Sequence, residues 1–152
     1  MTAAAEAIVC AYYAAFNAGD LERFIRLLHP RVVHDISQGG REIGRPAFRR
    51  FMARMDGSYR ETIVDLVIMT EPTGRRAAAE FTVLGAYLKT DKGLPPARGQ
   101  RYKLPCGAFF EIKAGKVARI SNHYNFKNWL AQVAKAPAAR GARRTRRPRA
   151  RR

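Results

Sequence analysis

Residues 32–44 have the sequence VVHDISQGGREIG, which places a carboxylate, Asp35, shortly after two valines. Because β-branched residues favour extended backbone, we predict a short strand over residues 32–37. The polar and glycine residues at 37–40 favour a turn. A second short extended piece then ends at Gly44. The pattern predicts a small extended unit that presents Asp35 near the end of a strand.

Two helices are predicted before this unit and one directly after it. Apolar side chains recur at helical spacing over residues 3–17. Gly19 suits the left-handed residue that ends a helix, and Asp20 is a favoured capping residue for a second helix over residues 21–28. Proline is common in the first turn of a helix, so the third helix is predicted from Pro46 to about residue 55.

The rest of the chain alternates between long extended segments and turn signals rich in glycine and proline. A short helix over residues 128–134 closes the domain. This order of elements indicates an α+β fold. We expect a curved mixed or antiparallel sheet wrapped around three helices, which would form a cone-shaped pocket. The four later strands are predicted at residues 62–70, 77–89, 100–113 and 116–126.

The formal charge of +17 is divided unevenly along the chain. Residues 135–152 carry nine basic residues and no acid, whereas residues 1–134 carry 20 basic and 12 acidic residues. We therefore predict one domain over 1–134 and a disordered Arg-rich tail over 135–152. Such a tail is either a contact for nucleic acid or an anionic membrane, or a tolerated extension with weak, non-specific polyanion binding.

Several function classes lack their sequence signals. No run approaches the ~18 apolar residues that span a bilayer, and the N-terminal helix carries Glu6 without a basic leader, so a cytoplasmic location is expected. Cys10 and Cys106 have no metal-site spacing with the histidines, which favours buried thiols in a reducing compartment. No phosphate-binding glycine loop or nucleophile elbow is present. The chemistry is expected to need no cofactor and no metal.

Several segments resemble the ketosteroid isomerase branch of the SnoaL-like, nuclear-transport-factor-2-like superfamily. The likeness covers roughly residues 6–128, with a different length near 56–76 and a longer insertion around 89–104. It implies the cone fold, but the superfamily includes isomerases, cyclases, dehydratases, hydrolases and non-enzymes. The segments are YYAAFNAGDL (12–21), the 32–44 segment with Asp35 nine residues before Gly44, AAAEFTVLGAY (77–87) and KAGKVARI (113–120).

The resemblance implies roles for two residues. Asp35 matches the isomerase general base, and Tyr12 matches the tyrosine that donates to the developing enolate oxygen. Gly107 and Met52 stand where the isomerase has an aspartic acid and a tyrosine. A carboxylate that faces an apolar pocket should have a raised pKa. The alternatives are an exposed Asp35 that bonds the following turn, and a Tyr12 that is an ordinary core residue.

Alternation along the last strand supplies further candidates. By the resemblance, Ile120, Asn122 and Tyr124 face the cone, whereas His123 faces outward. Asn122 or Tyr124 would then replace the hydrogen-bond donor that is missing at Gly107, unless both are ordinary polar residues near a sheet edge. His34 is expected to point away from Asp35. The predicted substrate-binding residues are Met52, Phe81, Val83, Phe109, Ile120, Asn122 and Tyr124.

Together these observations predict a cofactor-free, isomerase-like enzyme. Asp35 would transfer a proton on a small hydrophobic carbonyl compound that is steroid-like or polyketide-like. The first alternative is a non-catalytic module of the same fold that binds a small ligand or dimerises. The second has the basic tail as the functional element on a dimerising scaffold. The expected partners are a small hydrophobic ligand and a second copy, paired through the outer face of the sheet as is common in the superfamily.

Overall fold

The protein is described here by a computed structural model that covers residues 1–135. It has four helices and one six-stranded mixed sheet, which confirms the predicted α+β class. The predicted tail lies outside the described residues except for Lys135. In chain order the elements are α1 (Thr2–Asn17), α2 (Leu21–Arg26), β1 (Leu28–Asp35), β2 (Arg41–Ile43), α3 (Arg45–Ser58), β3 (Tyr59–Thr70), β4 (Arg76–Tyr87), β5 (Gln100–Lys113), β6 (Lys116–Tyr124) and α4 (Phe126–Val133).

The strands lie side by side in the order β2-β1-β6-β5-β4-β3. Within residues 1–135, the β1–β6 pair is parallel and the other neighbouring pairs are antiparallel. The long β3–β6 meander forms the main surface on which the helices pack. Across residues 1–135, none of the helices combines the length and apolar character needed to cross a bilayer.

Several predicted boundaries are wrong. Helix α2 ends at Arg26 and strand β1 already begins at Leu28, although the sequence predicted a helix to 28 and a strand from 32. A residue before proline avoids helical backbone, and Pro30 follows within this segment. Leu28 pairs with Val117, so sheet pairing replaces the predicted last helical turn. Helix α3 also continues through Gly57 to Ser58, where a break was predicted.

The helices cover one face of the sheet, which we call the inner face; the other is the outer face. Aromatic rings fill the space between α1 and the sheet, with Tyr12 centred 4.5 Å from Phe24 and 5.4 Å from Phe110. Asn17 fixes the end of α1 because its side-chain amide bonds both backbone groups of Ile63 on the edge strand, at 2.9 and 2.8 Å. The inner face is therefore positioned by packing and by a specific polar clamp.

The strand register is irregular at two places that matter for the site. In the β1–β6 pair it shifts between Leu28 and Val33, and in the β5–β6 pair it shifts between Glu111 and Ile112. An irregularity of this kind changes which residues point to each face of a sheet. The face on which a side chain lies near these places is therefore set by strand pairing in the fold and cannot be assigned by counting residues alone.

Candidate functional site

Asp35 lies on the outer face and is ion-paired. Its carboxylate accepts hydrogen bonds from Arg41 Nε at 2.6 Å and from Arg119 Nε at 2.8 Å. These bonds, the one from Arg41 most of all, lower the pKa of Asp35 because they stabilise the charged form. The prediction that Asp35 has a raised pKa in an apolar pocket is therefore wrong. The Asp35 side chain on β1 therefore links Arg41 at the start of β2 to Arg119 on β6.

His34 faces the helices and points away from Asp35, as predicted, but it is His34 and not Asp35 that lies on the inner face. It is 1% exposed, and its ring stacks on Phe48 with a centroid distance of 4.2 Å. Burial lowers the pKa of His34 to about 4, so the imidazole is neutral at pH 7. Alternation along a strand allows only one of these two neighbours to face the helices, and the register of β1 selects His34.

Tyr12 is a core residue and does not share a cavity with Asp35. Its side chain is buried on the inner side among aromatic rings, and this burial raises the pKa of its hydroxyl. Asp35 lies on the opposite side of the sheet. The structure therefore does not bring together the pair that the resemblance implied.

Gly107 and Phe109 also face outward. Gly107 pairs directly with His123, and the Phe109 ring lies 5.5 Å from the ring of His123. Phe109 is 55% exposed, so its prediction as a pocket wall is wrong. The neighbours of Gly107 on β5, Cys106 and Ala108, point to the inner face. A hydrogen-bond donor at position 107 would therefore not lie on the inner face, and its absence does not make that face less polar.

The other predicted binding residues lie on the side of the helices. On β6, the predictions that His123 points outward and that Ile120 points inward are confirmed, so the residues between and beside them alternate between the two faces. Of the six predicted binding residues on the side of the helices, three are buried and three are partly buried. The buried ones are Phe81, Val83 and Ile120, and the partly buried ones are Met52, Asn122 and Tyr124.

The Tyr13 hydroxyl is buried without a hydrogen-bond partner among the described residues. Its ring lies 5.0 Å from that of Phe81, which places it over the inner face, and burial raises the pKa of the hydroxyl. An unpaired buried hydroxyl costs about 1–3 kcal/mol. Such groups in a native fold call for a specific explanation, and a bound acceptor is one.

Glu61 on β3 provides a carboxyl group on the inner face. The Tyr102 hydroxyl donates to Glu61 Oε1 at 2.5 Å. Burial raises the pKa of Glu61, and this hydrogen bond only partly opposes the rise. Tyr102 reaches across the intervening strand over Gly85, where an added Cβ would lie 2.1 Å from the Tyr102 ring. The absence of a side chain at Gly85 therefore permits the Glu61–Tyr102 pair.

Cys106 and Tyr124 lie opposite each other on β5 and β6, within the electrostatic reach of Glu61. Burial is the main cause that raises the pKa of both groups, to about 12 for the Cys106 thiol, and the charge of Glu61 adds to it. Both groups therefore stay protonated at pH 7. We call Tyr13, Glu61, Tyr102, Cys106 and Tyr124 the inner polar cluster.

Sequence reasoning missed most of this cluster. Strand β3 was predicted to begin at residue 62, which excluded Glu61. Tyr13 was passed over because the resemblance matched its neighbour Tyr12 to the tyrosine of the isomerase site. One signal was available, because a glycine inside a strand pattern marks a close approach by another group. Gly85 is such a residue. The partner that approaches it, Tyr102, is visible only in the fold.

The outer face carries a different surface. An open cleft of about 740 Å³ contains Asp35, Arg119, His123 and Phe109. Apolar side chains elsewhere on the face are also exposed, with Val67 at 54%. In residues 1–135, no group of three or more His, Cys, Asp or Glu side chains is arranged to bind a metal ion.

Comparison with protein families matches residues 9–120 to the SnoaL-like domain. Among curated proteins, none matches this chain. Solved structures match over most of their length. A protein from Pseudomonas putida KT2440 described as a "putative polyketide cyclase" is 54% identical, with a TM-score of 0.84, over 88% of this chain and 98% of its own.

Two further structures carry the same description. The protein from Xanthomonas campestris pv. campestris is 48% identical with a TM-score of 0.85, over 87% of this chain and 98% of its own. The protein from Silicibacter sp. TM1040 is 42% identical with a TM-score of 0.83, over 85% of this chain and 94% of its own. All three matches support the same fold over most of this chain.

Proposed function

The chain belongs to the SnoaL-like domain family, and we propose that it is a cofactor-free enzyme that transfers a proton on a small hydrophobic carbonyl compound at the inner face of its sheet. One observation carries the proposal. The unpartnered Tyr13 hydroxyl and a carboxyl group with a raised pKa, Glu61, lie on the same side of the sheet. The relatives described as polyketide cyclases support a polyketide-like or steroid-like substrate.

Glu61 is the proton carrier in this proposal. In its ionised form it removes a proton from the carbon next to the substrate carbonyl, and the electron pair moves onto the carbonyl oxygen. Glu61 then returns the proton to another carbon, so the net change is an isomerisation that needs no oxidant or reductant. A carboxyl group with a raised pKa suits this work because its proton affinity is nearer to the operating pH. The Tyr102 hydrogen bond holds the carboxyl group in place.

The hydroxyl groups of the inner polar cluster stabilise the developing enolate. The Tyr13 hydroxyl has no hydrogen-bond partner among the described residues and can donate to the substrate, and the partly buried Tyr124 on β6 is a second hydroxyl donor. Hydrogen-bond donors aimed at an oxyanion in a site with little water typically supply ~10²–10³ in rate each. Asn122, which is also partly buried on β6, is a further amide donor.

The test uses a β,γ-unsaturated 3-ketosteroid and follows the conjugated enone by absorbance. We expect Glu61→Gln to reduce turnover by ~10²–10⁴, the usual range for a lost general base. Asp35→Asn is the matched control, since it neutralises a carboxylate on the outer face, and it should retain most of the turnover. Loss of turnover in Asp35→Asn with retention in Glu61→Gln would return the role to Asp35. The absence of enone in the unmodified protein would exclude this steroid isomerisation.

We also propose that two copies pair through the outer face. Four large apolar side chains are exposed there, Val67, Met69, Leu84 and Phe109, at 43–55% each. Burying such a set against a second copy is favourable because it removes apolar area from water. Phe109→Glu should convert a dimer to a monomer in sedimentation experiments, whereas Leu88→Glu, beyond the end of β4, should not. A monomeric unmodified protein would contradict this pairing.

A further inference from the structure

A second groove lies between α2 and the first turns of α3, away from the inner polar cluster. Its volume is about 530 Å³, and four arginines, Arg26, Arg45, Arg49 and Arg50, line it beside one carboxylate, Glu22. Helix α3 separates this groove from the inner face, because Phe48 on the same helix stacks against His34. The groove is therefore independent of the function proposed above.

The charges in this groove are poorly balanced. Glu22 pairs with Arg49, with Oε1 2.5 Å from the nearer guanidinium nitrogen. Arg45 donates from Nε to the Leu28 carbonyl at 2.8 Å, which fixes its position without neutralising its charge. Within residues 1–135, neither Arg26 nor Arg50 has a carboxylate within 4 Å. The groove therefore carries more positive charge than its one carboxylate balances, which favours the binding of an anion.

A neighbouring lysine adds to the positive charge. Lys116 on β6 donates to the backbone carbonyl of Arg26 at 2.7 Å, so its ammonium lies next to the backbone of this lining residue. The apolar side chains of Ile25 and Pro46 complete the lining. A guanidinium group binds two phosphate oxygens at once with matched geometry, which an ammonium group cannot do.

We propose that this groove binds the phosphate group of a small phosphorylated molecule. Arg45 is already held in place, and Arg26 and Arg50 are exposed and able to close on the anion. A small ligand is favoured over nucleic acid because the groove has no aromatic lining residue on which a base would stack.

The experiment measures pyrophosphate binding to the full chain by calorimetry at moderate salt. The double variant Arg26→Gln/Arg50→Gln is compared with Arg60→Gln/Arg101→Gln, which removes the same charge from exposed positions on β3 and β5. The basic C-terminal residues are identical in both variants, so their contribution cancels. Melting temperatures of both variants verify that each is folded.

We expect the groove variant to lose affinity at least about tenfold, and the control variant less than about twofold, because only the former removes direct phosphate contacts. Equal losses would mean a non-specific charge effect and would overturn the proposal. Unchanged affinity in the groove variant would overturn it as well. Binding of a short single-stranded DNA that depends on Arg26 and Arg50, without pyrophosphate binding, would identify a nucleic-acid surface instead.

Discussion

Asp35 and Glu61 are both carboxylates on strands of one sheet, yet the two faces give them opposite properties. On the outer face, Asp35 lies between two guanidinium groups that keep it ionised. On the inner face, burial favours the neutral form of Glu61, and the hydrogen bond that Tyr102 donates to it opposes this only in part. The direction in which the pKa of a carboxyl group shifts therefore depends on the face of the sheet that the group occupies more than on its position along the chain.

This difference separates a structural role from a chemical one. A carboxylate with a lowered pKa binds a proton too weakly to be an effective base near neutral pH, whereas a raised pKa brings the group toward the working range. Perturbed groups that combine burial with a specific partner are typical of functional sites. The comparison favours Glu61 as the reacting group and Asp35 as a link between strands.

The largest expected effect after that of Glu61→Gln concerns the two adjacent tyrosines of α1. Tyr13→Phe removes the unpartnered hydroxyl and should reduce turnover of the ketosteroid by ~10²–10³, as for a lost oxyanion donor. Tyr12→Phe is the matched control and should leave turnover nearly unchanged. Steady-state kinetics on both variants decides the point. The reverse ranking would place the oxyanion at Tyr12, as the sequence resemblance implied.

An intermediate effect distinguishes two glycines on opposite faces. Gly85→Ala should destabilise the fold by about 1–3 kcal/mol, since the added Cβ collides with the Tyr102 ring. Gly107→Ala on the outer face has its nearest atom at 3.6 Å and should change stability by less than about 0.5 kcal/mol. Urea unfolding of both variants measures the difference. Equal effects would show that the inner face is not closely packed around Glu61 and Tyr102.

The smallest expected effect comes from Asp35 itself. Asp35→Asn should cost about 1 kcal/mol or less at pH 7, because its ion pairs lie near the surface. Since folding lowers the pKa of Asp35, its contribution is present above the unfolded-state pKa and is lost as pH falls through the folded-state value.

Glu61 should show the opposite dependence on pH. Because folding raises its pKa, its stabilising contribution is greatest in acid and is lost as pH rises through the folded-state value. Unfolding free energies of the unmodified protein and of Glu61→Gln, measured from acid to neutral pH, give this trend. A stability difference between the two proteins that grows in favour of the unmodified chain as pH rises would contradict it.

The sequence predicted the fold class and most elements, because apolar periodicity and turn residues are local signals. It also predicted the alternation of Ile120 and His123 on β6. It failed for Asp35 and Gly107, because the face of a strand residue depends on its partner in the sheet, which is Ser121 for Asp35 and His123 for Gly107. Glu61 was missed because its pKa depends on burial and on Tyr102, a contact between distant segments that no local pattern contains.

The most direct test of the account is a carboxyl titration of the intact protein followed by carbon-13 NMR. Assigned side-chain carboxyl signals of Glu61 and Asp35 give both midpoints in one experiment. We predict a midpoint for Glu61 above the ordinary value of a glutamate and one for Asp35 below that of an aspartate. An ordinary or lowered midpoint for Glu61 together with a raised one for Asp35 would contradict the assignment of the reactive carboxylate to the inner face.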